Sequence, residues 1–498
     1  MYYLNFPEEK SKYPCFVLDP DEWDDYSYRI MFGLYYCENY NNKKYIGNVK
    51  IIHKQLELEQ NQNHVYVKDI MEKEFSSLDE NFASLGQNRE YYENIRCLPE
   101  KYSVMDDLRD CGYNNNYLLG FSEHLLDNRL LRFPDAEKMY ILGRFIVTKK
   151  DPATIFHFNL NFSPEYNKES ENNITFNLDH KDSYFPNSIY CIIGENGSGK
   201  TQLLKSFPTF LQKNNIPCNR IIHITNNLFE KKVKYNYKKK PEYIYLGILN
   251  DNLRNFKKSK SLKSKLLDYL KQLVKKYCED SYSREKIDTF LRRIANLYNS
   301  KIDLFPLRES LRFNDHNKKE PEYFTSIINN IINDFTKLSS GESILFINLI
   351  RLILCIQHYS LFLIDEPEIY LHPNFITEYM RFLYLLLQDF NSVAVIATHS
   401  VFVIREIKSS CVYTIQREGN NCSIERISRE TLGANAMTIC EDVFRISETP
   451  SNYMKQISRM KENNYSESEI LNSLTSRNDK DLDLGLKLYL HSLFSEQK

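Results

Sequence analysis

Apolar and polar positions change period along this chain, and the changes divide it. From about Tyr26 to Ile52, SYRIMFGLYYC and KKYIGNVKII are β-rich runs separated by ENYNNKK, which has the composition of a hairpin loop. From Val67 to about Arg109, Ile70, Met71, Phe75 and Leu78 recur at helical spacing. The spacing predicts helix there, with Gly86 in SLGQNREYYENI breaking one helix before the next. Residues 1–150 are therefore expected to form an accessory α+β domain.

After Asp151 and Pro152 the pattern turns to alternation, in ATIFHFNLNF and NNITFNLDH. The apolar strand SIYCIIG then runs directly into a glycine-rich loop. Residues of about 230–337 are lysine-rich, and Leu262, Leu266, Leu267, Leu270, Leu273 and Val274 mark one apolar face, which predicts an inserted helical lobe. Beyond Ser343, the helix ILFINLIRLILCIQ precedes the strand SLFLI, and a further helix precedes SVAVIAT. That order is the order of a parallel α/β sheet. Residues 151–440 are expected to be one α/β domain carrying the lobe, and 441–498 a short helical tail. No repeat of solenoid or propeller period and no sustained heptad run is present.

Composition narrows the function. The 498 residues carry Lys+Arg 65 against Asp+Glu 66, a net charge of -1, so no global excess exists to hold a polyanion. Any nucleic-acid surface must be local. Its best candidate is KKVKYNYKKK, Lys231–Lys240, continued by RNFKKSKSLKSK, with Tyr235 and Tyr237 interleaved as stacking groups. A solvated helix face competes with that reading. The eleven cysteines are odd in number and never form CxxC, which speaks against a disulfide framework and a zinc ribbon and makes a reducing cytoplasm the expected setting. The N-terminal residues lack a signal-peptide pattern, and no run approaches the roughly 20 apolar residues of a spanning helix, so no membrane partner is expected.

The loop Gly194-Glu195-Asn196-Gly197-Ser198-Gly199-Lys200-Thr201 fits G-x-x-x-x-G-K-[ST]. Its glycines let backbone N–H groups wrap phosphates, and the following helix, with Gln202 in its first turn, points its positive end at them. Lys200 is placed for the β and γ phosphates and Thr201 for Mg²⁺. A chance match in a Gly-rich turn is disfavoured, because the whole chain has only 14 glycines and the loop follows an apolar strand. The run LFLIDE ends a second strand in two carboxylates. Asp365 then falls beside the metal, and Glu366 falls where it can orient or deprotonate water.

Two further segments follow in order: Leu338-Ser339-Ser340-Gly341-Glu342, and ATHS with His399. Together LSSGE, DEPEIYLHP and ATHS resemble the ABC ATPases of the SMC, RecF and OLD-like group, in the AAA-21-type branch common in bacterial defence systems. The resemblance covers roughly residues 153–440. It implies ATP hydrolysis with Mg²⁺ in a homodimer, or a higher oligomer, built from head-to-tail pairs. In such pairs Ser339 and Gly341 would complete the partner's site, and His399 would sense the γ-phosphate. Transporter heads carry LSGGQ, whereas Ser340 and Glu342 stand at the third and fifth positions here.

Other positions fit the resemblance less closely. Asn226 and Asn227 stand where the family's Q-loop glutamine is expected, with a plain turn as the alternative. Glu368, Leu371 and His372 fall at the D-loop, where His372 reads more readily as a packing or capping residue beside Pro373 than as a catalytic one. Asp179-His180-Lys181-Asp182 and Asp315-His316 lack zinc-finger or HNH spacing. The 58 residues after Cys440 are too few for the Toprim nuclease domain of OLD proteins. Three functions therefore compete: a defence ATPase controlling a separately encoded nuclease or toxin, a RecF-like DNA-repair ATPase, and a scaffold that binds ATP without hydrolysing it.

Overall fold

The β-rich runs near the N-terminus satisfy each other's backbone groups in a computed structural model of the chain. It describes all residues except 9–11, 22–27, 58–64, 123–124, 151–155, 180–185, 215, 217, 226–234, 236–240, 248–260, 280, 299–300, 314–320, 370, 445–451, 475–483 and 496–498. Strands β1 (Tyr2–Leu4), β2 (Cys15–Pro20), β3 (Met31–Cys37), β4 (Lys43–His53), β5 (Glu74–Phe75) and β6 (Phe82–Gly86) form one sheet. Their order is β5-β1-β2-β3-β4-β6. The expected hairpin is present: β3 pairs antiparallel with β4, and Glu38 N donates to Asn42 O at 3.1 Å across the turn.

The helix expected from Val67 is mostly not there. Up to Gly86 only Val67–Ile70 is helical, while Glu74–Phe75 and Phe82–Gly86 join the sheet; beyond Gly86 the expected helix does form, at Arg89–Arg96, followed by another at Lys101–Asp107. The apolar side chains at three- and four-residue spacing sit on successive short elements instead; Phe75 stacks on Tyr2 with ring centroids 5.3 Å apart. Strand β6 is buried along its whole length and so shows no alternation. Gly86 ends this strand rather than a helix. A Cβ there would lie 2.0 Å from the Tyr91 ring, so the bare backbone admits α1 (Arg89–Arg96), which Asn88 caps by accepting from Tyr91 N at 3.0 Å. Asp110 lies buried beneath, accepting from Tyr92 OH at 2.9 Å and Gly86 N at 3.1 Å, and burial pushes its carboxyl up to about 7. Helix α2 (Pro134–Thr148) follows.

The second half builds the predicted parallel sheet. After the antiparallel pair β7 (Phe156–Phe162) and β8 (Asn172–Leu178) come β9 (Ile189–Ile193), α3 (Lys200–Lys213), β10 (Arg220–Thr225) and β11 (Glu242–Gly247). Strand β11 lies within the stretch read as a lobe, whose helices are α4 (Leu262–Glu279), α5 (Ser281–Leu297), α6 (Phe305–Phe313) and α7 (Pro321–Phe335). Leu266, Leu270 and Leu273 are fully buried on α4, as its apolar face predicts. Then come α8 (Ser340–Cys355), β12 (Leu361–Asp365), α9 (Pro373–Asp389), β13 (Val393–Thr398), β14 (Val412–Glu418) and β15 (Asn421–Arg426).

The strand order is β11-β10-β12-β13-β9-β14-β15, parallel except for the β14–β15 hairpin. Its central strands β9, β12 and β13 are buried at every position, as strands covered on both faces are. Register aligns their carboxyl ends: Asp365 pairs with Thr225 and Ala397, and Ile193 with Thr398. In an open α/β sheet this edge is where ligands bind.

Residues Met1–Gly433 cluster as one compact unit and Ala434–Lys498 as another. Within the first, Glu137 of α2 is fully buried and accepts from His358 N, ahead of β12, at 3.0 Å. The second is helical, with Ile457, Ile470 and Leu490 at its centre. Among the described residues no helix is long and apolar enough to cross a membrane.

Candidate nucleotide site

Strand β9 ends at the glycine-rich loop, where Gly194, Gly197 and Gly199 each have a steric reason. A Cβ on Gly194 would stand 2.2 Å from Ile415 O of the neighbouring strand β14. Gly197 and Gly199 take φ of +80° and +112°, the left-handed region that residues with a Cβ avoid. The loop thus curls tightly enough for α3 to start at Lys200, and no side chain caps its N-terminus. Uncapped N–H groups and the helix dipole make that end receptive to an anion.

Lys200 is 5% exposed, and its Nζ donates to Gly194 O at 2.8 Å and Glu195 O at 3.0 Å. The ammonium therefore spans the loop it belongs to. Burial lowers the pKa of this amine, opposed by the carboxylates of Glu366, Asp365 and Glu368. Ser198 is buried, and its Oγ has no hydrogen-bond partner among the described residues. Glu195 and Asn196 are exposed at the loop's tip, and Gln202 Oε1 accepts from Glu165 N at 2.9 Å.

The carboxylates that end LFLIDE meet this loop directly. Thr201 Oγ1 donates to Asp365 Oδ2 at 2.8 Å, and Asp365 is 1% exposed. Glu366 follows with φ of +49°, held by its N–H donating to Ala397 O at 2.8 Å. A non-glycine residue fixed in this region is characteristic of sites where a side chain must be aimed. His399 stands beside it, with Nδ1 3.4 Å from Glu366 Oε1 and 3.3 Å from Glu368 Oε1. Lys200, Thr201, Asp365, Glu366 and His399 are thus brought to one carboxyl edge.

The signature segment, Leu338-Ser339-Ser340-Gly341-Glu342, stands at the start of α8. Ser339 caps α8 in a capping box: its Oγ accepts from Glu342 N at 3.4 Å, and its N–H donates to Glu342 Oε2 at 3.1 Å. Lys301 also pairs with Glu342, and Tyr298 OH donates to Glu342 O at 2.9 Å. Gly341 is buried, whereas Ser339 and Ser340 are exposed at the tip of the helix. Among the described residues no hydrogen bond joins them to the loop of their own chain. His372 is the N-cap of α9, its Nδ1 accepting from Asn374 N at 3.3 Å, in line with the capping reading.

Three residues of the site were not singled out for these roles by spacing. Glu368 bonds the turn that carries His399. Tyr166 OH donates to Ser198 O at 2.8 Å, and the Arg417 guanidinium lies 4.0 Å above the Tyr166 ring while Nη1 reaches Gly197 O at 3.4 Å. These contacts join segments distant in sequence, and no local pattern announces them. Asn226, Asn227, Lys231, Lys240, Tyr237, His180, Lys181, Asp182, Asp315 and His316 lie outside the described residues. Tyr235 is described, bonded to Pro241 O and packed 5.4 Å from the Tyr243 ring.

Residues 189–405 match the AAA_21 family, described as "AAA domain, putative AbiEii toxin, Type IV TA system". Over 493 aligned residues the chain is 28% identical to Protein ea59 of Escherichia phage lambda, covering 91% of this chain and 90% of that protein. Among solved structures, cbiO1 of Clostridium perfringens, part of the ABC transporter complex cbiONQ, is 15% identical. That comparison covers 52% of this chain and 84% of the other, with a TM-score of 0.28. UvrA2 of Deinococcus radiodurans is 12% identical over 51% of this chain and 36% of its own, with a TM-score of 0.26.

Proposed function

Because residues 189–405 form an ABC-class P-loop ATPase domain of AAA-21 type, we propose that the chain binds and hydrolyses ATP in head-to-tail pairs, as the sensing and regulatory part of an antiphage defence system acting on a separately encoded nuclease or toxin. The observation that carries the ATPase reading is the 2.8 Å bond from Thr201 to Asp365, with Glu366 and His399 beside it. Thr201 and Asp365 present hard oxygen donors of the kind Mg²⁺ prefers. Bound there with ATP, the ion would neutralise charge on the β and γ phosphates.

The chain's own groups supply the rest. Lys200 exchanges the carbonyls of Gly194 and Glu195 for phosphate oxygens, and the N–H groups at the start of α3 bind the same anion. Glu366 holds the attacking water, and His399 contacts the γ-phosphate. The N-terminus of α8 in a second copy, with Ser339 exposed and Gly341 behind it, closes the site from the other side.

The toxin–antitoxin description of the matching family and the phage origin of the 28% identical relative support the defence role. We assign the reading of the cue to residues 1–150, a role supported by the Glu137–His358 bond that ties α2 to the ATPase sheet.

The test is Ser339→Arg. Its side chain would block a partner's phosphate without touching its own loop. ATP affinity is expected to stay within about 2-fold, while turnover falls by about 100-fold and ATP-dependent dimers vanish in sedimentation. Full turnover in this variant would contradict the composite site. Turnover that DNA raises in a salt-sensitive way, with no second protein present, would instead favour a RecF-like function.

A further inference from the structure

Glu368 lies in the loop leaving β12 and is 8% exposed. Three nitrogen or oxygen atoms converge on its Oε1: Thr398 Oγ1 at 2.5 Å, His399 N at 3.0 Å and His399 Nδ1 at 3.3 Å. Thr398 is fully buried, and its Oγ1 accepts in turn from Ser400 N at 2.9 Å. One carboxylate oxygen thus gathers the whole Thr398–Ser400 turn at the end of β13. The other oxygen, Oε2, is buried with no hydrogen-bond partner among the described residues.

Keeping a half-satisfied carboxylate out of water costs free energy that packing alone does not justify. The gain lies in what the carboxylate holds. The His399 side chain is 45% exposed, so packing does little to fix it. An imidazole left free to rotate would spend much of its time away from Glu366, at an entropic cost to every turnover.

We propose that Glu368 is a positioning residue for hydrolysis: it pins the Thr398–His399 turn so that the imidazole stays beside Glu366 and the incoming γ-phosphate. It acts through His399 and touches no reacting atom. The inference rests on the reading of Glu366 and His399 as the hydrolytic pair.

The experiment compares steady-state turnover, ATP affinity and melting temperature in the full chain. Glu368→Ala is expected to lower kcat by about 10- to 100-fold, with KM and ATP affinity within about 3-fold. Glu368→Gln, which keeps an oxygen to accept from Thr398 and His399, is expected to recover most of that loss. Thr398→Val, which removes one donor while keeping the side chain's shape, is expected to reproduce part of it, and serves if Glu368→Ala does not fold. In a His399→Ala background, Glu368→Ala is expected to cost no more than about 2-fold further.

A structural role alone would lower the melting temperature and leave the losses additive. Losses that multiply, wild-type kcat in Glu368→Ala alongside an impaired His399→Ala, or ATP binding lost in parallel with turnover would each overturn the assignment. Unimpaired turnover in Glu366→Gln or His399→Ala would overturn the underlying reading instead, and is distinguished because it is seen with Glu368 intact.

Discussion

Glu366→Gln is expected to bind ATP with near wild-type affinity and to hydrolyse it about 100- to 1,000-fold more slowly, leaving dimers trapped with nucleotide. The side chain keeps its shape and loses only the charge that orients and accepts a proton from water. Its geometry explains why binding should survive: Glu366 is held by its own N–H on Ala397 O, whereas the loop is held by Lys200 and by the Thr201–Asp365 bond. The removal of a hydrolytic group and the removal of a binding group are therefore separable. Single-turnover hydrolysis with gel filtration in ATP checks both halves, and rapid hydrolysis by this variant would remove Glu366 from its role.

Lys200→Ala is expected to fail one step earlier. The ammonium bridges Gly194 O and Glu195 O and is surrounded at longer range by the carboxylates of Glu366, Asp365 and Glu368. Its loss unties the loop and leaves that acidic edge facing the triphosphate unopposed. A hydrogen bond to a charged group contributes about 1.5–3 kcal/mol, so ATP affinity should fall roughly 10- to 100-fold. The check is thermal: ATP with Mg²⁺ should raise the melting temperature of the wild type and of Glu366→Gln, but barely that of Lys200→Ala at the same concentration. An equal rise in all three would place the nucleotide elsewhere.

The two loops behind these predictions were legible in the sequence because their constraints are local. Phosphate binding demands left-handed backbone at Gly197 and Gly199, a lysine and a hydroxyl, all within eight residues after an apolar strand. LFLIDE is equally contiguous, since a strand buried on both faces reads as an unbroken apolar run. The parallel sheet followed from the same signals in order.

The N-terminal region was less legible. Phe75 and Leu78 satisfy helical spacing by coincidence, while the side chain that fixes Phe75 is Tyr2, far back in the sequence. Tertiary pairing overrode local period there. Glu368 was hidden for a related reason. Its neighbours in sequence suggest a loop at a dimer interface, but its bonds go to Thr398 and His399 on another strand. The capping box of Ser339 and Glu342 shows the opposite limit: S-x-x-E is visible in the sequence and does start a helix, and the same residues carry the proposed contact to a partner. A motif can serve the fold and the site together.

The central claim is that one active site is built from two copies of this chain, and mixing two inactive variants tests it most directly. Lys200→Ala lacks a working loop but has an intact signature, and Ser339→Arg has the reverse. Neither should turn over ATP alone. Mixed in equal amounts, they can form pairs in which the loop of Ser339→Arg meets the signature of Lys200→Ala, and turnover should return to about one quarter of wild type, since half the pairs are mixed and each has one intact site. A mixture that stays as inactive as its components, although the two variants demonstrably associate, would contradict the shared site.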